Sequence, residues 1–234
     1  MRQIFLDTET TGLDAEGGDR IVEIGCVEMV ARRLTGNHRH YYLNPQRSSH
    51  PDALRVHGLS DEFLADKPRF DEVAEELLAF LAGAEIVIHN APFDVGFLDR
   101  ELQRCGRGPL QQHVGAVTDS LLLARELYPG KSNSLDALCK RLAVDNSART
   151  LHGALLDAGL LADVYIGMTR GQGSLVIDAA DAAGPALQAD AIDLAAFDLP
   201  VPLPTPDELA AHRAVLADIH KASRGRLLWQ ADLA

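Results

Sequence analysis

The chain is short of cysteine, of positive charge and of long apolar runs, and each shortage narrows what it can be. Its three cysteines, Cys26, Cys105 and Cys139, lie far apart and form no Cys-x-x-Cys pair, which argues against a zinc site or a disulfide framework and for a reduced setting. A formal net charge of -12 argues against holding nucleic acid through a broad basic surface, but it leaves room for a small pocket where metal ions supply the positive charge. No apolar run approaches membrane-spanning length, and the N-terminus reads as a strand ending in acids rather than a basic-then-apolar leader. A soluble, cytoplasmic protein without membrane contact is expected. With 47% of its 234 residues hydrophobic, the chain can build one large domain plus a tail.

Ile4-Phe5-Leu6 followed by Asp7-Thr8-Glu9 reads as a buried strand that delivers two carboxylates to an exposed end. Side chains alternate along a strand, so Asp7 and Glu9 share a face. Their repulsion costs stability unless a cation stands between them, and oxygen ligands favour Mg²⁺ or Mn²⁺. The competing reading makes both acids turn or cap residues before Thr10-Thr11-Gly12.

A second strand, Ile21 to Val30, and a third, His38 to Leu43, complete an antiparallel meander, with Gly17-Gly18 and Thr35-Gly36-Asn37 in the connections. Helices are predicted over Phe70–Leu81, about Asp94–Arg104, Leu121–Leu127, Leu135–Leu142 with Ser134 as N-cap, and Gly153 to about Thr169; strands over Glu85–His89 and Ala116–Asp119 alternate with them. The fold class is therefore α/β, a mixed sheet flanked by helices, ending near residue 170. From Gly171 to Ala211 there is no Lys or Arg while Ala, Asp and Pro accumulate, so 171–204 reads as a flexible acidic linker. In 205–234 a helix from Asp207 to about Ala222 and the apolar Leu227-Leu228-Trp229 suggest a docking element, against the alternative of a helix packed on its own domain.

Three further acids could join the first pair. Asp94 follows a strand at a helix start, where a lone acid is ordinarily an N-cap; Asp119 ends a short strand and reads as structural. Five helical residues turn through about 500°, so if Asp157 faces the site, His152 stands on the loop before its helix, though a lone His there is usually a cap or surface residue. Gly130-Lys131-Ser132 resembles a phosphate-binding loop, but Arg125 stands where that loop requires glycine.

Together, Asp7-Thr8-Glu9-Thr10-Thr11-Gly12, His89-Asn90-Ala91-Pro92-Phe93-Asp94 and His152-Gly153-Ala154-Leu155-Leu156-Asp157 resemble, in order, the three motifs of the DEDDh exonuclease family. Within it the chain is most similar to the proofreading epsilon subunits of bacterial DNA polymerase III, and Arg32–Asn37, Val56–Gly58, Val117–Ser120 and Pro129–Cys139 agree as well. The resemblance covers the chain to about residue 170. It implies a ribonuclease H-like fold and 3′-to-5′ hydrolysis of DNA, preferring a mispaired, already unstacked terminus. By the same resemblance Asp7, Glu9, Asp94 and Asp157 are metal ligands for two divalent ions, Mg²⁺ or Mn²⁺, and His152, with a reference pKa of about 6.5, is the general base. The resemblance further implies that Asp52 and His57 line the nucleotide site together with Asp7, Glu9 and Asp157. The implied partners are a DNA 3′ end, the polymerase alpha subunit through the tail, the beta sliding clamp through Gln172, Leu175 and Ile177 in 172–177, and a small theta-like accessory subunit. Two alternatives remain: a DEDDh ribonuclease trimming short RNA, and a structural tether between polymerase and clamp.

Overall fold

A computed structural model describes residues 1–147, 149, 151–169 and 203–223. The chain divides into two units, Met1–Leu175 and Val176–Ala234. In the first, strands β1 (Arg2–Thr10), β2 (Ile21–Val30) and β3 (Arg33–Tyr42) form the meander. Helices α1 (Pro51–His57), α2 (Asp61–Leu64) and α3 (Phe70–Leu81) follow. Next come β4 (Glu85–Ile88), α4 (Ala91–Arg104), β5 (Ala116–Asp119), α5 (Ser120–Leu127), α6 (Leu135–Leu142) and α7 (Ala154–Met168). The five strands lie in the order β3-β2-β1-β4-β5. The β1–β2 and β2–β3 pairs are antiparallel; β1–β4 and β4–β5 are parallel.

Alternation along the central strands separates two cores. Ile4 and Leu6 of β1, with Ile86 and Ile88 of β4, pack with α3 and α4 residues such as Leu77, Leu81, Phe97 and Leu98. Phe5 and Val87 face the other way, towards Ala124, Leu138, Leu161 and Val164 of α5, α6 and α7. That second face is the one on which Asp7 and Glu9 lie. Because β4 pairs with β1 only over Gln3–Phe5, β1 runs on past its parallel neighbour and carries both acids to the carboxyl end of the sheet. Ligands bind there in open α/β sheets, where strand order reverses.

Three expectations require correction. β3 begins at Arg33, not His38, because the hairpin turn is Ala31-Arg32, both at positive φ (48° and 62°), the conformation that matches strand twist. Gly36 therefore sits inside β3, opposite the register irregularity between Val27 and Met29, rather than in a connection. Helices α1 and α2 were not legible. Helix α4 begins at Ala91, with Pro92 in its opening turn, so Asp94 lies within the first turn and Asn90 is the N-cap.

In the second unit, α8 (Pro206–Ala222) starts from Thr205, whose hydroxyl accepts from the Glu208 amide while Glu208 caps the Thr205 amide. Among the described residues no helix is long and apolar enough to cross a membrane. The clamp-peptide residues Gln172, Leu175 and Ile177, most of the linker, and Leu227-Leu228-Trp229 lie outside the described residues.

Candidate active site

Three segments bring the predicted acids together. β1 supplies Asp7 and Glu9, the first turn of α4 supplies Asp94, and the first turn of α7 supplies Asp157; all four line one cleft of about 840 Å³ with His152. Gly25, opposite Asp7 in β2, makes this possible: a Cβ there would collide with the backbone of Ala154 and Leu155, so only glycine lets the start of α7 lie directly on the sheet. Thr8, on the opposite face of β1, donates its hydroxyl to Asp94 Oδ1 at 2.7 Å and fixes the α4 acid against the strand.

His152 stands on the loop before α7, whose N-cap is Gly153. Its amide donates to the Val56 carbonyl at 3.1 Å. Beside that bond, Gly58, in the left-handed conformation that closes α1, leaves room for Leu151: a Cβ on Gly58 would stand 2.6 Å from Leu151 Cδ1. Ligand atoms of Glu9, His152 and Asp157 all lie within 4.8 Å of one another, and His152 Nδ1 is 3.5 Å from Asp157 Oδ2. Asp7 and Asp94 share the cleft but do not belong to that tight triplet.

The electrostatics are those of a buried acidic cluster that the Arg149 guanidinium offsets only in part. Burial, then the Asp94, Glu9 and Asp157 carboxylates, push Asp7 well above the usual carboxylate range. Burial, then Asp157 and Glu23, push Glu9 up to about 8. Burial lifts Asp94 to about 7 against the opposing hydrogen bond from Thr8. Such clustered, destabilised carboxylates fit a hard divalent cation.

A second cavity of about 670 Å³ adjoins the first, sharing Thr8, Glu9 and Phe93, and is walled by Leu13, Asp52, Val56 and His57. His57 Nδ1 accepts from the Leu59 amide at 3.0 Å, so Nε2 carries the hydrogen; that nitrogen is buried without a partner among the described residues. Burial lowers the His57 pKa and keeps the ring neutral. Asp52 lies on the outer wall, exposed and paired with Arg55. Asp119 is structural: its Oδ1 accepts from the Leu121 amide at 2.8 Å and caps α5.

Sequence reasoning gave no site role to Arg149, Asp136 or Lys131, which also line the first cleft. Arg149 binds Asp157 through both carboxylate oxygens at 2.6 and 2.7 Å. Gly130-Lys131, rejected as a nucleotide-triphosphate loop, forms part of the cleft rim.

Comparison with known proteins agrees with this geometry. Residues 4–165 match the RNase_T exonuclease family model. The chain is 52% identical to DNA polymerase III subunit epsilon of Pasteurella multocida, over all of this chain and 95% of that protein. It is 51% identical to the subunit of the same name from Escherichia coli K12, covering 98% of each chain. Exonuclease X in complex with 5′ overhanging duplex DNA superimposes with a TM-score of 0.58 at 28% identity, over 73% of this chain and 93% of that one. An E. coli ExoI–ssDNA complex gives a TM-score of 0.65 at 19% identity, over 73% of this chain and 41% of that one, a likeness of fold.

Proposed function

This chain belongs to the exonuclease family, among the epsilon subunits of DNA polymerase III, and from that premise we propose how its residues remove the 3′ terminus of DNA. It is a nuclease, the proofreading 3′-to-5′ exonuclease of that polymerase, and uses divalent metal. The observation that carries the mechanism is the convergence of Asp7, Glu9, Asp94 and Asp157 in one cleft with His152, three of the acids displaced upward in pKa.

In the reading we favour, Asp7, Glu9, Asp94 and Asp157 would hold two divalent ions, and their all-oxygen donor set would suit Mg²⁺ or Mn²⁺. Bound divalent ions supply a clamp on the attacking and leaving oxygens of an in-line displacement. His152 receives the proton of the attacking water on Nδ1, the ring nitrogen that faces Asp157. The second cavity takes the terminal nucleoside: Leu13, Val56 and Phe93 offer apolar walls to the base, and the neutral His57 ring stands among them. Selectivity for mispaired ends arises because an unstacked terminus enters this cavity at lower cost.

The unit ending near residue 170 is the catalytic domain; 171–204 and 205–234 serve as linker and polymerase-binding tail. The tail engages the alpha subunit, 172–177 the beta clamp, and a theta-like subunit can join the catalytic domain, all in the cytoplasm. The mechanism is tested by offering matched DNA and RNA oligomers with Mg²⁺ and identifying the product by mass. Nucleoside 5′-monophosphates released stepwise from the 3′ end of DNA are expected. Release of dinucleotides or internal fragments would contradict it.

A further inference from the structure

Arg149 occupies the centre of the site, although nothing in the proposed chemistry uses it. Its side chain is 8% exposed. Nε donates to Asp157 Oδ1 at 2.6 Å and Nη2 to Asp157 Oδ2 at 2.7 Å, so both oxygens of one expected metal ligand are taken by a single planar fork. Nη2 also lies 2.8 Å from His152 Nδ1. A guanidinium can only donate, so that nitrogen is an acceptor whose lone pair is covered. The remaining arm, Nη1, donates to Asp136 Oδ1 at 2.7 Å, and Asp136 is 58% exposed at the cleft edge.

We propose that Arg149 is an internal counter-cation that competes with the divalent metal for Asp157 and releases His152 only when it is displaced. The proposal rests on the metal reading above. A cation held by Glu9 and Asp157 needs an Asp157 oxygen that Arg149 now holds, and a metal on that oxygen stands against the guanidinium charge at hydrogen-bond range, so the two compete. Arg149 has somewhere to go: Asp136 already binds one arm, so withdrawal towards the cleft edge keeps its charge paired. The same movement uncovers Nδ1. Metal loading and uncovering of Nδ1 thereby become one event, and in the metal-free protein the fork both neutralises Asp157 and caps the Nδ1 lone pair. Arg149 is thus a positioning residue, acting through Asp157 and His152.

The test is Mn²⁺ binding to the full-length protein without DNA, by calorimetry, for wild type, Arg149→Gln, Asp136→Asn and the double variant. Arg149→Gln should bind Mn²⁺ about tenfold more tightly or better, the change that corresponds to one charge-assisted hydrogen bond no longer competing. Asp136→Asn should bind more weakly than wild type, because it removes the partner Arg149 withdraws to; this exposed substitution does not disturb the core. The double variant should match Arg149→Gln, since Asp136 acts only through Arg149. Arg149→Gln binding no tighter than wild type, or Asp136→Asn binding no weaker, would overturn the proposal. A wild type that binds no Mn²⁺ would instead overturn the metal reading beneath it.

Discussion

Glu9, lifted to about 8, and Asp94, lifted to about 7, give the metal-free protein a pH dependence of definite sign. The folded state keeps protons that the unfolded chain releases near the ordinary carboxylate values of about 4, so the contribution of these two groups to stability is full below that range and is lost as pH rises to about 8. A bound divalent cation replaces those protons. The gain in Tm on adding Mn²⁺ should therefore grow between about pH 5 and pH 8 and level off above; melts across that range check it, and a gain independent of pH would contradict the cluster's role. Asp7→Asn relieves the same repulsion. It should abolish hydrolysis yet raise the metal-free Tm, by about 2–4 °C for each kcal/mol relieved. His152→Ala should lower kcat by about 10²- to 10⁴-fold, the usual contribution of a positioned base, and a variant with wild-type turnover would assign the proton to another acceptor.

At the scale of elements, α7 lies on the sheet because Gly25 has no side chain. Gly25→Ala should push the start of α7 outward, moving Asp157 and His152 together, with loss of most activity and of stability. Gly96→Ala in α4, where a Cβ meets nothing within 4 Å, should be neutral or stabilise by up to about 1 kcal/mol. Comparing melts and rates of the two variants separates a glycine required by close approach from one that merely tolerates replacement. The same contrast explains what the sequence made readable. Helix α3 buries Val73, Leu77 and Leu81 at helical spacing, and Ser134 caps α6 by accepting from the Ala137 amide, so both emerged with their observed bounds. Helix α1 leaves Leu54 and Val56 exposed, so no buried stripe announced it. The β2–β3 turn uses Ala31-Arg32 where glycine or asparagine is the usual signal, which displaced the expected connection to Gly36.

For the whole molecule, the five motif residues were legible because Asp7 and Glu9 stand at the end of a strand and Asp94, His152 and Asp157 stand at or just before helix starts, and the sheet carries strand ends to one side. Arg149 was not: its partners Asp136, His152 and Asp157 meet only once the loop before α7 folds over the cleft. Leu175→Ala with Ile177→Ala should weaken retention on the sliding clamp and shorten processive synthesis while leaving hydrolysis of short single strands unchanged, because tethering raises effective concentration without altering the site. Unchanged clamp retention would remove 172–177 from the account. The central claim, that this acidic cleft removes mispaired 3′ termini, is tested most directly by following nucleotide release from a 3′-mismatched primer with Mg²⁺, for wild type and Asp7→Asn side by side. Release of nucleoside monophosphate by wild type, faster from the mismatched than from the paired end and absent in the variant, is the predicted result. No release by wild type, or release undiminished in Asp7→Asn, would contradict it.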